Sequence, residues 1–111
     1  MMQGFHLFKT KMIIGNQKRQ KTLMIDDRFM PVVFELINKS KNAAIVYLYL
    51  VNSMHKNLLI STDEEIANNT DLYQEEVHTA IKILCQENLI QTEPVVKFTA
   101  YKVNQNLLYN I

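Results

Sequence analysis

The chain has 111 residues, of which 48% are apolar and 21% are charged, so it can build one modest hydrophobic core and not two. A single cysteine excludes an internal disulfide, and the lack of a long apolar stretch excludes a membrane span and a secretion signal. These features predict a soluble, reduced, cytoplasmic protein without a membrane partner.

The net charge of +1 is unevenly distributed along the chain. Residues 1–25 contain five basic and no acidic side chains, whereas residues 26–111 contain seven basic and eleven acidic ones, which gives +5 and −4. A basic arm on a mildly acidic body suggests that the arm contacts a polyanion. The alternative is that five charges keep an exposed hairpin soluble. The chain therefore divides into a basic N-terminal arm, residues 1–25, and a domain of residues 26–111.

The arm is predicted to form two extended segments, FHLFKTKMII and QKRQKTLMI, separated by Gly15-Asn16, a dipeptide that suits a tight hairpin turn. Such a hairpin can lie along a phosphate backbone, where it adds affinity without reading base sequence. Its candidate contacts are the basic residues of the strands and the tip: Lys9, Lys11, Lys18, Arg19 and Lys21.

A first helix is predicted after the arm. Asp26-Asp27 offers a start, Pro31 is tolerated in a first turn because its missing N–H would be unpaired there, and the helix ends near Lys39. Its buried side is predicted to contain Phe29, Val32, Val33 and Leu36.

A second helix, Asn42 to His55, can be capped by Ser40, and its centre AAIVYLYLV is apolar on all sides. A helix of this composition belongs in the middle of the domain or at a subunit contact. Because small DNA-binding modules often dimerise to read two half-sites, we expect a homodimer.

A short strand, LLIS at 58–61, then leads into two amphipathic helices joined by a polar turn. Thr62 with Glu65 three residues later is the capping pair that starts the first of these helices. The run from Asn68 to Asp71 consists of residues that favour turns, so the helix should stop there.

The following helix, about Tyr73 to Glu87, is amphipathic at 3.6 residues per turn. Its inner side contains Val77, Ala80, Ile81 and Leu84, with Cys85 on or near that side, and its outer side contains Glu75, His78, Thr79, Lys82 and Gln86. The pair has the layout of a helix-turn-helix, in which the outer side of the second helix faces a major groove. The alternative is an ordinary solvated helix face.

The C-terminal part, LIQTEPVVKFTAYKVN, is predicted to form two strands around a turn near Glu93-Pro94. The proposed alternation sets Phe98, Ala100 and Val103 against Thr99, Tyr101 and Lys102. Lys97 and Lys102 would lie on this wing, while acidic Glu93 at its tip would weaken a grip on phosphate. The tail QNLLYNI should pack on the body or on a second subunit. This element order predicts an α+β fold, a winged helix-turn-helix with an N-terminal β-hairpin.

Residues for catalysis or cofactor binding are not grouped in the sequence. The three histidines, His6, His55 and His78, and one cysteine have no zinc-ligand spacing, and two glycines cannot make a phosphate-binding loop. Neighbouring carboxylates lie at helix starts, where the helix dipole explains them. We therefore expect no metal, no cofactor and no enzymatic activity.

From about Asn42 to Asn110, the segments YLYLVNSMHKNLL, TDEEIANNT, YQEEVHTAIKILCQENLI and YKVNQNLLYN resemble the RepL-type replication proteins of Gram-positive bacterial plasmids. The preceding IIGNQKRQKTLMIDD resembles that family's N-terminal extended segment. The resemblance implies binding to plasmid or phage DNA at an origin or promoter. Where such recognition helices begin with small hydroxyl residues and Lys, this one has Tyr73-Gln74-Glu75-Glu76, which moves the expected base contacts to Gln74, His78, Thr79 and Lys82.

The leading hypothesis is sequence-specific binding of double-stranded DNA by a homodimer, in plasmid or phage replication or its control, with Lys97 as a further contact. The first alternative is a transcriptional regulator on the same fold. The second is a protein-interaction module that has lost DNA binding, favoured by Glu75, Glu76 and the acidic body. Replication or transcription proteins are the expected protein partners.

Overall fold

The computed structural model describes residues 29–104, and the backbone of residues 9–14 and 21–26. Within these residues, four helices and a three-stranded antiparallel sheet of order β3-β5-β4 follow a separate two-stranded hairpin. This is the α+β architecture of a winged helix, which confirms the predicted fold class. The elements are β1 (Lys9–Ile14), β2 (Lys21–Asp26), α1 (Met30–Lys39), α2 (Lys41–Ser53), β3 (Leu58–Ser61), α3 (Asp63–Thr70), α4 (Gln74–Gln86), β4 (Ile90–Val95) and β5 (Phe98–Val103).

The N-terminal hairpin pairs β1 with β2 in antiparallel fashion, and β2 lies beside α2. Ile14 pairs with Lys21, so six residues separate the paired strands. A two-residue turn at Gly15-Asn16 would instead pair Ile14 with Gln17, so the predicted register of the hairpin is wrong. Residues 15–20, which include Lys18 and Arg19, lie outside the described part of the chain.

Helix α1 begins at Met30, not at Asp26-Asp27 as predicted, because Asp26 ends β2 in a pair with Lys9. Pro31 occupies the first turn, as expected, where a missing N–H costs nothing. The predicted inner side is confirmed: Phe29, Val32, Val33 and Leu36 are buried.

Helix α2 forms the middle of the core, which is one of the two positions that its composition predicted. Ser40 Oγ accepts a hydrogen bond from the Ala43 N–H at 3.2 Å and caps the helix. The Tyr47 ring packs edge to face with Phe29, with ring centroids 6.3 Å apart. The buried residues of α2 are Ala43, Ala44, Val46, Tyr47, Leu48 and Leu50.

Helix α3 starts after Thr62 as predicted, because Thr62 Oγ1 accepts a hydrogen bond from the Glu65 N–H at 3.0 Å. The reciprocal half of the predicted capping pair is wrong, because Glu65 bonds to a different residue. The Glu65 carboxylate accepts a hydrogen bond from Ser61 Oγ. The helix ends at Thr70, and Asp71 takes a left-handed conformation with φ 59°. Asp tolerates this conformation better than most residues, so the chain can turn sharply toward α4 without a glycine.

The wing differs from its prediction in two respects. First, Val95 pairs with Phe98, so the turn is Val96-Lys97, while Glu93 and Pro94 lie within β4. Strand β4 is an edge of the sheet, where proline costs no ladder hydrogen bond on its solvent side. Second, the alternation is wrong, because Tyr101 and Val103 are buried and Phe98 is 50% exposed.

Candidate nucleic-acid interface

Helix α4 presents the polar face that its periodicity predicted. Val77, Ala80 and Leu84 are buried, and Ile81 packs at the edge of the core. The polar face consists of exposed residues over the whole length of the helix: Gln74, Glu75, His78, Thr79, Lys82 and Gln86. Cys85, predicted on or near the inner side, is exposed, so it is not part of that side. It follows Leu84 by 100°, which places it at the margin of a narrow apolar arc.

The first turn of α4 is held by Glu76. Its Oε1 accepts a hydrogen bond from the Tyr73 N–H at 2.9 Å, and its Oε2 accepts one from Asn42 Nδ2 of α2 at 3.3 Å. The carboxylate therefore caps the helix N-terminus and joins it to α2. Of the two adjacent acids, Glu76 faces the protein and Glu75 faces solvent. Tyr73, immediately before the helix, is 77% exposed.

Asp63 connects α4 to the wing. Its Oδ1 accepts a hydrogen bond from the Tyr101 hydroxyl at 2.7 Å, and its Oδ2 lies 3.6 Å from His78 Nδ1. Burial raises the pKa of Tyr101 well above its ordinary value, and the neighbouring Asp63 carboxylate raises it further. The tyrosine therefore remains a hydrogen-bond donor at neutral pH. One carboxylate thus joins α3 to β5 through a hydrogen bond and lies beside α4.

The wing tip, residues Val95–Phe98, lies near the end of α3 that His78 contacts. Ser61, at the end of β3, pairs with Thr99 of β5, and α3 begins two residues later. Lys97 precedes Thr99 by two residues, which is about 7 Å of extended strand. His78 on the polar face of α4 and Thr99 at the base of the wing therefore both lie close to the start of α3.

Val96 is the most unusual residue of the wing tip. It is 95% exposed and has φ 55°, a left-handed conformation that glycine, asparagine or aspartate usually adopts in a two-residue hairpin turn. For a β-branched residue this conformation costs about 1–3 kcal/mol. Val96 therefore gains nothing from core packing and loses stability through its backbone.

The charge on this surface is mixed. A shallow depression on α4 is lined by Asp63, Gln74, Glu75, His78 and Thr79. Glu75 and Asp63 bring negative charge, while Lys82 in the polar face and Lys97 at the wing tip bring positive charge. With opposite signs in equal number, these four residues supply polar contacts without a strong positive field. A polyanion would be attracted mainly by other parts of the chain.

Residues 5–110 match the family model of the Firmicute plasmid replication protein, RepL. The chain belongs to the RepL family. The match spans nearly the whole sequence and confirms the resemblance found in its segments. RepL membership implies a role in plasmid replication. The chain matches no curated protein and no solved structure.

The fold of this RepL chain places four of the residues that the sequence singled out on one helix face. Gln74, His78, Thr79 and Lys82 share the polar face of α4, and Lys97 is at the wing tip. The remaining candidates belong to the arm, where Lys9 and Lys11 lie in β1 and Lys21 begins β2, while Lys18 and Arg19 lie outside the described residues.

The sequence did not predict that Val96 and Phe98 are exposed at the wing tip of this RepL chain. The predicted turn at Glu93-Pro94 placed both of them inside a strand. The loop Val96-Lys97 lacks the asparagine or glycine that normally marks a two-residue hairpin turn, so the sequence contains no local signal for it.

Two further observations apply to the described part of this RepL chain. Among residues 29–104 and the two arm strands, no helix has the length and apolar character needed to cross a bilayer. The same residues contain no group of three or more histidine, cysteine, aspartate or glutamate side chains that could hold a metal ion.

Proposed function

We propose that this RepL-family protein binds double-stranded DNA sequence-specifically during initiation of plasmid replication or its control. The observation that supports this proposal is the exposed polar face of α4 beside the wing tip, in a fold with winged-helix architecture. In this proposal α3 and α4 act as a helix-turn-helix. Helix α4 is 13 residues long, about 20 Å, and lies in the major groove as the recognition helix.

The polar face has side chains suited to reading base edges. Gln74 can pair with adenine, Lys82 with guanine, and Thr79 with either, while Glu75 can accept a hydrogen bond from a cytosine amino group. The capping role of Glu76 supports this arrangement, because its negative charge is used inside the protein and does not oppose the phosphates.

The arm supplies the affinity that the mixed charge of α4 does not. In the proposal, Lys9, Lys11, Lys18, Arg19 and Lys21 contact phosphates, release counterions and so add affinity for any sequence. The polar face then adds sequence preference, and Lys97 adds a contact from the wing.

We infer that a homodimer binds two half-sites, with α1 at the contact between copies. Phe34 and Ile37 of α1 are exposed apolar side chains one turn apart, so they form a patch on one helix face. Phe34→Glu should yield monomers in sedimentation experiments, whereas wild type should sediment as a dimer. A monomeric wild type would overturn this part of the proposal.

A gel-shift titration tests DNA binding. Duplexes are selected from a random pool with wild-type protein and then titrated at about 50 and 200 mM salt. Because phosphate contacts release counterions, affinity should fall steeply as salt rises. Absence of binding at micromolar protein, or binding that does not respond to salt, would contradict the proposal. The position of the preferred sequence, in an origin or in a promoter, separates an initiator from a transcriptional regulator.

The protein-interaction module is supported by a different surface. Leu58 and Ile60 of β3 and Phe98 of β5 are exposed apolar residues of the same sheet, with Ile60 paired with Ala100. A stoichiometric protein partner recovered together with full-length protein, in the absence of DNA binding, would favour this function.

A further inference from the structure

The wing tip combines three features that turn formation does not require. Val96 is almost fully exposed and adopts a left-handed conformation that favours glycine. Its neighbours Val95 and Phe98 are also exposed apolar residues. Lys97 sits beside them in the two-residue turn. A valine that packs against no core and strains its own backbone is best explained by contact with another molecule.

The chemistry of the tip matches the minor groove of DNA. A basic side chain is attracted by the negative potential of a narrow groove, and an apolar side chain can enter between base pairs and partly unstack them. Paired strands lie about 4.8 Å apart, which is close to the roughly 6 Å width of that groove. Because the side chains add to this width, entry of the tip requires the groove to open.

The position of the tip relative to α4 fits contact with two successive grooves. Tyr101, whose hydroxyl contacts Asp63 beside His78, follows Lys97 of the turn by four residues of β5, or about 13 Å. Adjacent grooves of a duplex are separated by about half of a 34 Å helical turn. A helix in the major groove therefore leaves the tip over the neighbouring minor groove.

We propose that the wing tip inserts Val96 as an apolar wedge into the minor groove next to α4 and kinks the duplex there. Lys97 holds the tip in the groove through its charge, and Phe98 packs behind the wedge. This inference rests on the proposed DNA binding and extends it from base reading to deformation of the DNA. It predicts that a flexible pyrimidine–purine step lies under the wing, because such steps kink most easily.

The experiment compares bending with binding. A 30-base-pair duplex, about 100 Å long, is selected by wild-type protein from a random pool and carries a donor and an acceptor dye at its ends. A second copy of the duplex carries 2-aminopurine under the wing, where unstacking raises its fluorescence. Wild type should increase energy transfer between the ends and increase the 2-aminopurine signal.

Val96→Gly is the decisive variant, because glycine accepts the left-handed conformation and removes only the apolar side chain. It should fold normally, lose the 2-aminopurine signal and most of the bending, and bind about tenfold more weakly. Val96→Leu should retain both signals. Asn88→Gly, which removes an exposed side chain at another left-handed position with φ 62°, is the matched control and should behave like wild type.

The outcomes separate this inference from the proposed function. If wild type binds and Val96→Gly bends and unstacks the duplex equally well, the wedge is wrong and DNA binding stands. If wild type binds a straight duplex, the same conclusion follows. If wild type binds no DNA, both proposals fail, and a protein that binds wild type but not Val96→Gly would identify the partner of the tip.

Discussion

The hydroxyl of Tyr101 donates a hydrogen bond to Asp63 Oδ1 at 2.7 Å, and so ties the wing to the first turn of α3. The same carboxylate lies 3.6 Å from His78 Nδ1 on the polar face of α4. A single side chain thereby contacts all three elements of the candidate interface. The geometry of that interface depends on a contact that joins residues 38 positions apart in the chain.

Removing this hydroxyl should destabilise the protein. Tyr101→Phe keeps the buried ring and leaves one Asp63 oxygen without its donor, which should lower the free energy of unfolding by about 1 kcal/mol, since water can reach part of the carboxylate. Urea denaturation measures the change. Tyr73→Phe removes the hydroxyl of an exposed tyrosine and should leave the midpoint unchanged. Equal effects of both substitutions would contradict the structural role of the contact.

The raised pKa of Tyr101 predicts a loss of stability at alkaline pH. Burial raises the pKa first and Asp63 raises it further, so the folded value exceeds the unfolded value of about 10. The resulting stabilisation is fully present below about pH 10 and is lost as the pH rises through 10 toward the folded pKa, at up to about 1.4 kcal/mol per pH unit.

A comparison of two proteins isolates this effect. Burial also raises the pKa of Tyr47, so wild type should lose stability from two tyrosines and Tyr101→Phe from one. Denaturant titrations between about pH 9 and pH 11 should therefore give a shallower decline for Tyr101→Phe. Parallel curves for the two proteins would show that Tyr101 ionises as readily in the folded chain as in the unfolded one.

Glu76 should stabilise the start of α4. Glu76→Ala removes the acceptor for the Tyr73 N–H and for Asn42, and should lower the free energy of unfolding by about 1 kcal/mol. Glu76→Gln keeps an oxygen acceptor and should lose less. Glu75→Ala is the matched control, because this neighbouring carboxylate is exposed and should cost only its interaction with the helix dipole, about 0.3 kcal/mol. A larger loss of unfolding free energy in Glu75→Ala than in Glu76→Ala would overturn the assignment.

The two parts of the proposed interface should respond differently to mutation. Lys82→Ala or Thr79→Ala should weaken binding to the selected duplex by about tenfold and relax its sequence preference. Lys18→Ala combined with Arg19→Ala should weaken binding to all sequences alike and reduce the salt slope by about 1.8.

A lysine elsewhere provides the control for these variants. Lys39 at the end of α1 pairs with Glu87 at 2.5 Å, so its charge is already balanced. Lys39→Ala should leave affinity and salt slope unchanged in the same gel shifts. A loss equal to that of the arm variant would show that binding follows net charge and not the position of the charge.

Local features of the sequence determined the helices. The Thr62 cap, the Ser40 cap and the apolar spacing of Val77, Ala80 and Leu84 act over three to seven residues, and each one predicted an element that the structure contains. The polar face of α4, and with it most of the candidate site, followed from the same periodicity. The prediction for α4 differed from the structure at the edge of the apolar side of the helix, where Cys85 is exposed.

Only the tertiary structure decided the wing and the contacts around it. Aromatic residues occur at both alternating positions of β5, so hydrophobicity alone could not tell that Tyr101 is buried and Phe98 exposed. The choice depends on Asp63, which gives the buried hydroxyl a partner, and on the pairing of β5 between β3 and β4. Likewise, Pro94 lies within a strand only because β4 is an edge. Capping and helical spacing are properties of neighbouring residues, whereas strand register, edge position and buried hydrogen bonds are properties of distant residues brought together.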